Sequence, residues 1–281
     1  MSWYGTLVLA KPGKGSLSAC EEVRRAFGSR FVTPSVMRVF GNKLGLYDLG
    51  DGWQRVGVRL VNRQRLRLAG GVQDVAAGTG APALAAWVFE STCVHLEART
   101  PAGVAVSVHL PNSDESCGYQ HPEGRPGRVE PRRAVEALEA WAHEAGRTPA
   151  PDIISAVLDG TWDGSPFVED CVLALFAALG FPSGREVLPV VDPDDPAFGD
   201  YALWSHFANN SAGNLVRAAE MGWVLGPEFD VTPMEQDYLR FEELVWSSVY
   251  GGGLSRDELI AEYHKLASRW PDPKASRQRR D

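Results

Sequence analysis

The chain has 281 residues, of which 44% are hydrophobic and 23% charged, with a formal net charge of −8. These values describe an ordinary folded protein long enough to bury a core, and they exclude a disordered or collagen-like chain. The acidic balance disfavours nonspecific binding to nucleic acid or to an anionic membrane and is compatible with a basic protein partner. Arginine far outnumbers lysine, and Ala and Gly are abundant, which fits a GC-rich bacterial genome. The first residues lack a basic n-region, no apolar run reaches membrane-spanning length, and the 4 cysteines show no tight pairing pattern. A reduced, cytoplasmic protein without a membrane partner is the expectation, with Cys20 and Cys171 as buried thiols on helical faces.

In chain order, residues 3–10 read as a strand. Ser18-Ala19-Cys20-Glu21 has the form of a capping box opening a helix to Phe27, with Gly28 as its stop. Strands are expected near 36–40, 44–49 and 54–60, with the turn Asp48-Leu49-Gly50-Asp51-Gly52 between the last two. A short helix near 71–77 and a strand over 84–90 follow. The next segment, 93–111, reads as a hairpin. This order implies an α+β fold with a mostly antiparallel sheet, for which a ferredoxin-like split βαβ arrangement is one solution.

From about residue 130 the pattern turns helical. Helices are expected from Pro131 to Gly146, from Ser165-Pro166 to Gly180, and behind the capping boxes Thr232-Pro233-Met234-Glu235 and Ser255-Arg256-Asp257-Glu258. Ser211 reads as an N-cap for a helix reaching Met221. The expected organisation is a sheet domain over 1–129 with a long loop at 112–128, a helical region over 130–273, and a disordered basic tail over 274–281.

The hairpin carries the most specific chemistry. Thr100-Pro101-Ala102-Gly103 suits a type I turn closed by a left-handed Gly, a register that pairs His95 with His109. One face is then apolar. The other holds Cys93, His95, Glu97 and Arg99 against Ala105, Ser107 and His109. An antiparallel sheet commonly leaves one face wet, so solvent is the plain expectation for this polar side. The sharper expectation is a site. Opposed imidazoles can share a proton or a metal, and Glu90 would join them through a tight turn at Ser91-Thr92. Cys117 and His121, in the aperiodic loop, could complete a Cys/His set. The metal candidates are therefore Cys93, His95, His109, Cys117 and His121, and the catalytic candidates His95, His109, Glu90 and Glu97. The spacing matches no established zinc pattern, so no cofactor is assigned and zinc is the metal to test for.

Elsewhere the signals are weaker. Asp192-Pro193-Asp194-Asp195-Pro196 reads as a solvated acidic linker rather than a calcium loop. Lys11-Pro12-Gly13-Lys14-Gly15-Ser16 has a phosphate loop's residues in the wrong order. Trp204 and His206, in an aromatic stretch, are candidates for binding, with core packing as their plainer role. No nucleophile elbow, zincin motif or dinucleotide fingerprint is present. Two function classes follow. The favoured one is an intracellular bacterial binding or interaction protein for a basic partner, of the kind an immunity or antitoxin protein would be. The other is a metal-assisted or His/Glu-based hydrolase, with its site on the polar face of the hairpin.

Overall fold

The computed structural model describes residues 5–27, 45–59, 68–112, 117–118, 121, 125–162, 167–220 and 222–278. The expected strand over 36–40 and the helix start at Ser165-Pro166 lie outside the described residues. The fold is α+β, and the described chain divides into two compact units between Val187 and Leu188.

The first unit is built on a seven-stranded sheet: β1 (Gly5–Ala10), β2 (Tyr47–Gly50), β3 (Trp53–Arg59), β4 (Ala83–Phe89), β5 (Cys93–Arg99), β6 (Ala105–Leu110) and β7 (Arg185–Glu186). Every pairing is antiparallel, in the order β6-β5-β4-β1-β3-β2-β7. Helix α1 (Glu21–Phe27) lies between β1 and β2 in sequence, and α2 (Leu68–Thr79) between β3 and β4. With strands β4-β1-β3-β2 side by side, this core has the split βαβ arrangement. The β5–β6 hairpin extends it beyond β4. Helices α1 and α2 pack on one another closely enough that a Cβ on Gly71 would meet that of Ala26 at 2.8 Å, so only glycine fits there.

All of β1 and β4 is buried, as is β5 from Cys93 to Ala98. Successive strand residues point to opposite faces, so both faces of the central sheet are covered. Helix α2 packs on β1, β4 and β5. A further group, α3 (Pro131–Glu144), α4 (Pro151–Leu158) and α5 (Val168–Ala178), packs against strands β4 to β6 through α3 and α5. Trp141 fixes α3: its indole N–H donates to the carbonyls of Ala83 and Arg99 at 3.2 and 3.1 Å, and its ring meets Trp53 and Phe181. Each fully buried Leu or Val in these layers contributes about 1.5–3 kcal/mol of transfer free energy.

The start of α1 differs from the expected capping box. Ser18 is buried in a short 3-10 turn over Leu17–Ala19 that Ser16 caps, and the α-helix begins at Glu21. Cys20 and Cys171 are half-buried rather than fully buried. The Cys20 thiol donates to Glu22.

The second unit, from Leu188, is helical: α6 (Tyr201–Glu220), α7 (Pro233–Ser248), α8 (Arg256–Arg269) and α9 (Pro273–Gln278). Phe198, Tyr201, Trp204, Tyr238, Phe241, Val245, Leu259 and Leu266 form its core. Both expected capping boxes form, at Thr232/Glu235 and Ser255/Glu258. Ser211 is not an N-cap. It lies inside the continuous α6, and its hydroxyl donates to Glu235 of α7 at 2.8 Å instead of capping a helix start. Residues 273–278, whose composition reads as a tail, are helical. Among the described residues no helix is long and apolar enough to cross a membrane.

Candidate metal centre

The turn sets the site. Gly103 takes φ +99°, the left-handed region that its lack of a Cβ permits, and Thr100 N–H donates to Val104 O at 3.0 Å. The resulting register pairs His95 with His109, Glu97 with Ser107 and Arg99 with Ala105. Cys93, at the start of β5, stands on the same face as His95.

That face is not wet. Cys93 is 0% exposed, His95 3%, Glu97 2% and His109 2%. The expectation of solvent fails because chain from the loop after β6 folds back over the strands. His121 brings its ring to 4.3 Å from Phe89, 5.1 Å from His109 and 6.0 Å from His95. The loop is closed at its base by Asn112, whose side-chain amide donates to Val129 O at 2.9 Å while its Oδ1 accepts from Val129 N–H at 3.1 Å.

Folding back brings four donors together. The ligating atoms of Cys93, His109, Cys117 and His121 all lie within 4.8 Å of one another. Cys117 Sγ is 3.1 Å from His121 Nε2. Donors around tetrahedral zinc, with bonds of about 2.0–2.3 Å, lie roughly 3.3–3.8 Å apart, so small side-chain rotations close the set. His109 is already oriented for this. Its Nδ1 lies 2.9 Å from Pro111 O, and a carbonyl only accepts, so Nδ1 carries the proton and Nε2 the lone pair. Nε2 is buried with no hydrogen-bond partner among the described residues. A backbone carbonyl fixing the tautomer of a ligating imidazole is a usual outer-shell arrangement. On His121 one nitrogen faces Cys117, and Nδ1 is buried and without a partner among the described residues.

The electrostatics agree. Burial, then the nearby His109, His95 and Arg125, pushes His121 down to about 4. Burial is also the main cause of the lowered His109, partly opposed by the bond to Pro111. Both rings are therefore neutral at pH 7, the form that ligates. Burial, and then the neighbouring Cys117, pushes the Cys93 thiol well up. Only a cation placed between the thiols would draw off their protons, which is how a metal acts on coordinating cysteines.

The other candidates fall elsewhere. His95 Nε2 sits 2.8 Å from Glu97 Oε1, and Arg99 Nη2 sits 2.7 Å from Glu97 Oε2. Ser107 Oγ donates to Glu97 Oε1 at 2.5 Å. His95 thus belongs to a buried His–Glu–Arg line beside the four donors rather than to the donor set. Glu90 is exposed at the β4–β5 turn, with φ +46°. In the second unit Trp204 is a core residue, and His206 is exposed, with Nε2 3.1 Å from the Asn210 amide. Sequence reasoning did not find the two groups that support the centre, the Pro111 carbonyl and the Asn112–Val129 clasp. An Asn at the start of a long loop is the one signal that could have led to the clasp.

Comparison with family models matches residues 45–125 to the bacterial α-L-rhamnosidase C-terminal domain. The stretch covers well under half of the chain and includes the whole hairpin, Cys117 and His121. Comparison with curated proteins and with solved structures gives no match.

Proposed function

We propose that this chain is a zinc-binding protein of the binding or interaction class, in which a Cys2His2 centre holds the 112–128 loop onto the sheet. The observation that carries this reading is the convergence of four donors of zinc-type chemistry, with the His109 lone pair buried and unanswered. Four protein donors fill a tetrahedral shell, the pattern of structural rather than catalytic zinc. Chain held at Cys117 and His121 then serves as a surface. The net charge of −8 favours a basic protein partner, in keeping with an immunity- or antitoxin-like role in a bacterial cytoplasm.

Elemental analysis of the reduced protein tests the metal. One zinc per chain, with a melting temperature that falls on chelation, supports the reading; a metal-free protein indifferent to chelator removes it. For the partner, capture from native extract at low salt should return one stoichiometric protein that high salt releases, and an empty capture counts against it.

The second reading, a metal-assisted or His/Glu-based hydrolase, draws on the His95–Glu97 pair beside the donors. It requires a coordination position open to water, which the fourth donor takes. Hydrolysis of simple esters or phosphoesters by the zinc-loaded protein, lost in His95→Ala, would restore it.

A further inference from the structure

Two of the four donors are thiols, and they face each other. Cys93 Sγ and Cys117 Sγ lie within 4.8 Å, with the Cys117 thiol in hydrogen-bonding reach of the other. Their environments differ: Cys93 is wholly buried in β5, and Cys117, on the loop, is half-buried. A disulfide brings its sulfurs to about 2.05 Å, and two Sγ atoms that already share a hydrogen-bonding neighbourhood are placed to close that gap. The remaining cysteines, Cys20 and Cys171, are in α1's lead-in and in α5, outside the donor set.

We propose that Cys93 and Cys117 are a hydroperoxide-sensitive pair whose oxidation to a disulfide expels the metal and takes over its tether to the sheet. The inference rests on the zinc reading above. The partly buried Cys117 thiolate, the more accessible of the two, attacks one peroxide oxygen and, with uptake of one proton, gives a sulfenic acid and one water. The Cys93 thiolate then attacks that sulfur; with a second proton the S–S bond forms and a second water leaves. The sum is two thiolates, one hydrogen peroxide and two protons giving one disulfide and two waters, a two-electron oxidation of sulfur. Zinc loses both anionic ligands and departs as the aqua ion, since two neutral imidazoles supply half a coordination shell and none of its charge. The Asn112–Val129 clasp lies outside this chemistry, so the loop base stays closed while the tip changes its tether from metal to disulfide.

The test uses the reduced, zinc-loaded full chain in its Cys20→Ser/Cys171→Ser form, which leaves the donor set intact. Hydrogen peroxide is added stepwise. Free zinc is read with a chromogenic chelator, thiols by maleimide mass tagging, and the cross-link by peptide mass spectrometry. The expected result is one zinc released per two thiols lost, a Cys93–Cys117 cross-linked peptide, and recovery of zinc binding after reduction with dithiothreitol. Zinc retained while peroxide is consumed, or released with sulfinic and sulfonic acids in place of the cross-link, overturns the switch and leaves the zinc reading standing. A reduced chain that takes up no zinc overturns both.

Discussion

Buried polar groups in the helical unit and those of the Cys/His cluster in the sheet unit are treated in opposite ways. In the helical unit each buried carboxylate answers its neighbours. Glu235 closes a capping box with Thr232 and accepts from Ser211, and Glu242 accepts from the Asn209 amide at 2.6 Å and the Trp246 indole at 3.3 Å. The Ser211 and Asn209 bonds join α6 to α7. In the sheet unit the same degree of burial leaves His109 Nε2 and His121 Nδ1 without partners among the described residues, beside two thiols. Since a buried donor or acceptor left unmade costs about 1–3 kcal/mol, orphans gathered at one point mark a place that a ligand completes. Burial of polar residues alone therefore does not distinguish architecture from a site, whereas unanswered lone pairs do.

The comparison breaks first at the donors. His109→Ala or Cys93→Ala should reduce zinc content from one per chain to near zero. It should also remove the metal's linkage to stability, about 4 kcal/mol at zinc a thousandfold above Kd. Titration calorimetry and thermal melts with and without chelator check this. A variant that keeps its zinc would show that residue is not a ligand. Next in size is the His–Glu–Arg line. Glu97→Gln leaves a largely buried Arg99 uncompensated and should cost about 3–5 kcal/mol in urea unfolding. It should do so without abolishing zinc binding, since Glu97 is not a donor.

Proton dependence sharpens the contrast further. Folding holds His121 near 4, below its ordinary value near 6.5, so the unfolded chain binds more protons between these values. In the zinc-free protein this contribution to stability is full above about pH 6.5 and is lost as the pH falls toward 4. Metal affinity should fall in the same direction, because protons compete for imidazole and thiolate. Urea midpoints and zinc titrations across that range measure both. The smallest effect belongs to the helical unit: Thr232→Ala removes a capping hydroxyl and should cost about 1 kcal/mol in thermal unfolding, with zinc content unchanged.

The legible part of this molecule was local. Pro101 and Gly103 specify the turn, the turn specifies the register, and the register places Cys93 and His109 on one face. The capping residues Thr232 and Ser255 likewise announce helix starts, because their hydroxyls act within three residues. The burial of the polar face was not legible, since it depends on His121 and on helices 20 to 80 residues away arriving over the sheet. Alternating polarity reads as wet wherever the covering chain is remote. Ser211 misled for the opposite reason, as its partner Glu235 lies on another helix. Cys117 and His121 were named as completing ligands, yet nothing local compels their loop to fold back. That placement comes from packing on Phe89 and the clasp at Asn112.

Cobalt substitution tests the central claim most directly. Co2+ added to the reduced, metal-free chain should saturate at one equivalent. It should give the strong visible d–d bands of a tetrahedral ion together with near-ultraviolet thiolate-to-cobalt charge transfer, both erased by zinc. A weak octahedral spectrum, absence of charge transfer, or no saturation at one equivalent would contradict the four-donor centre.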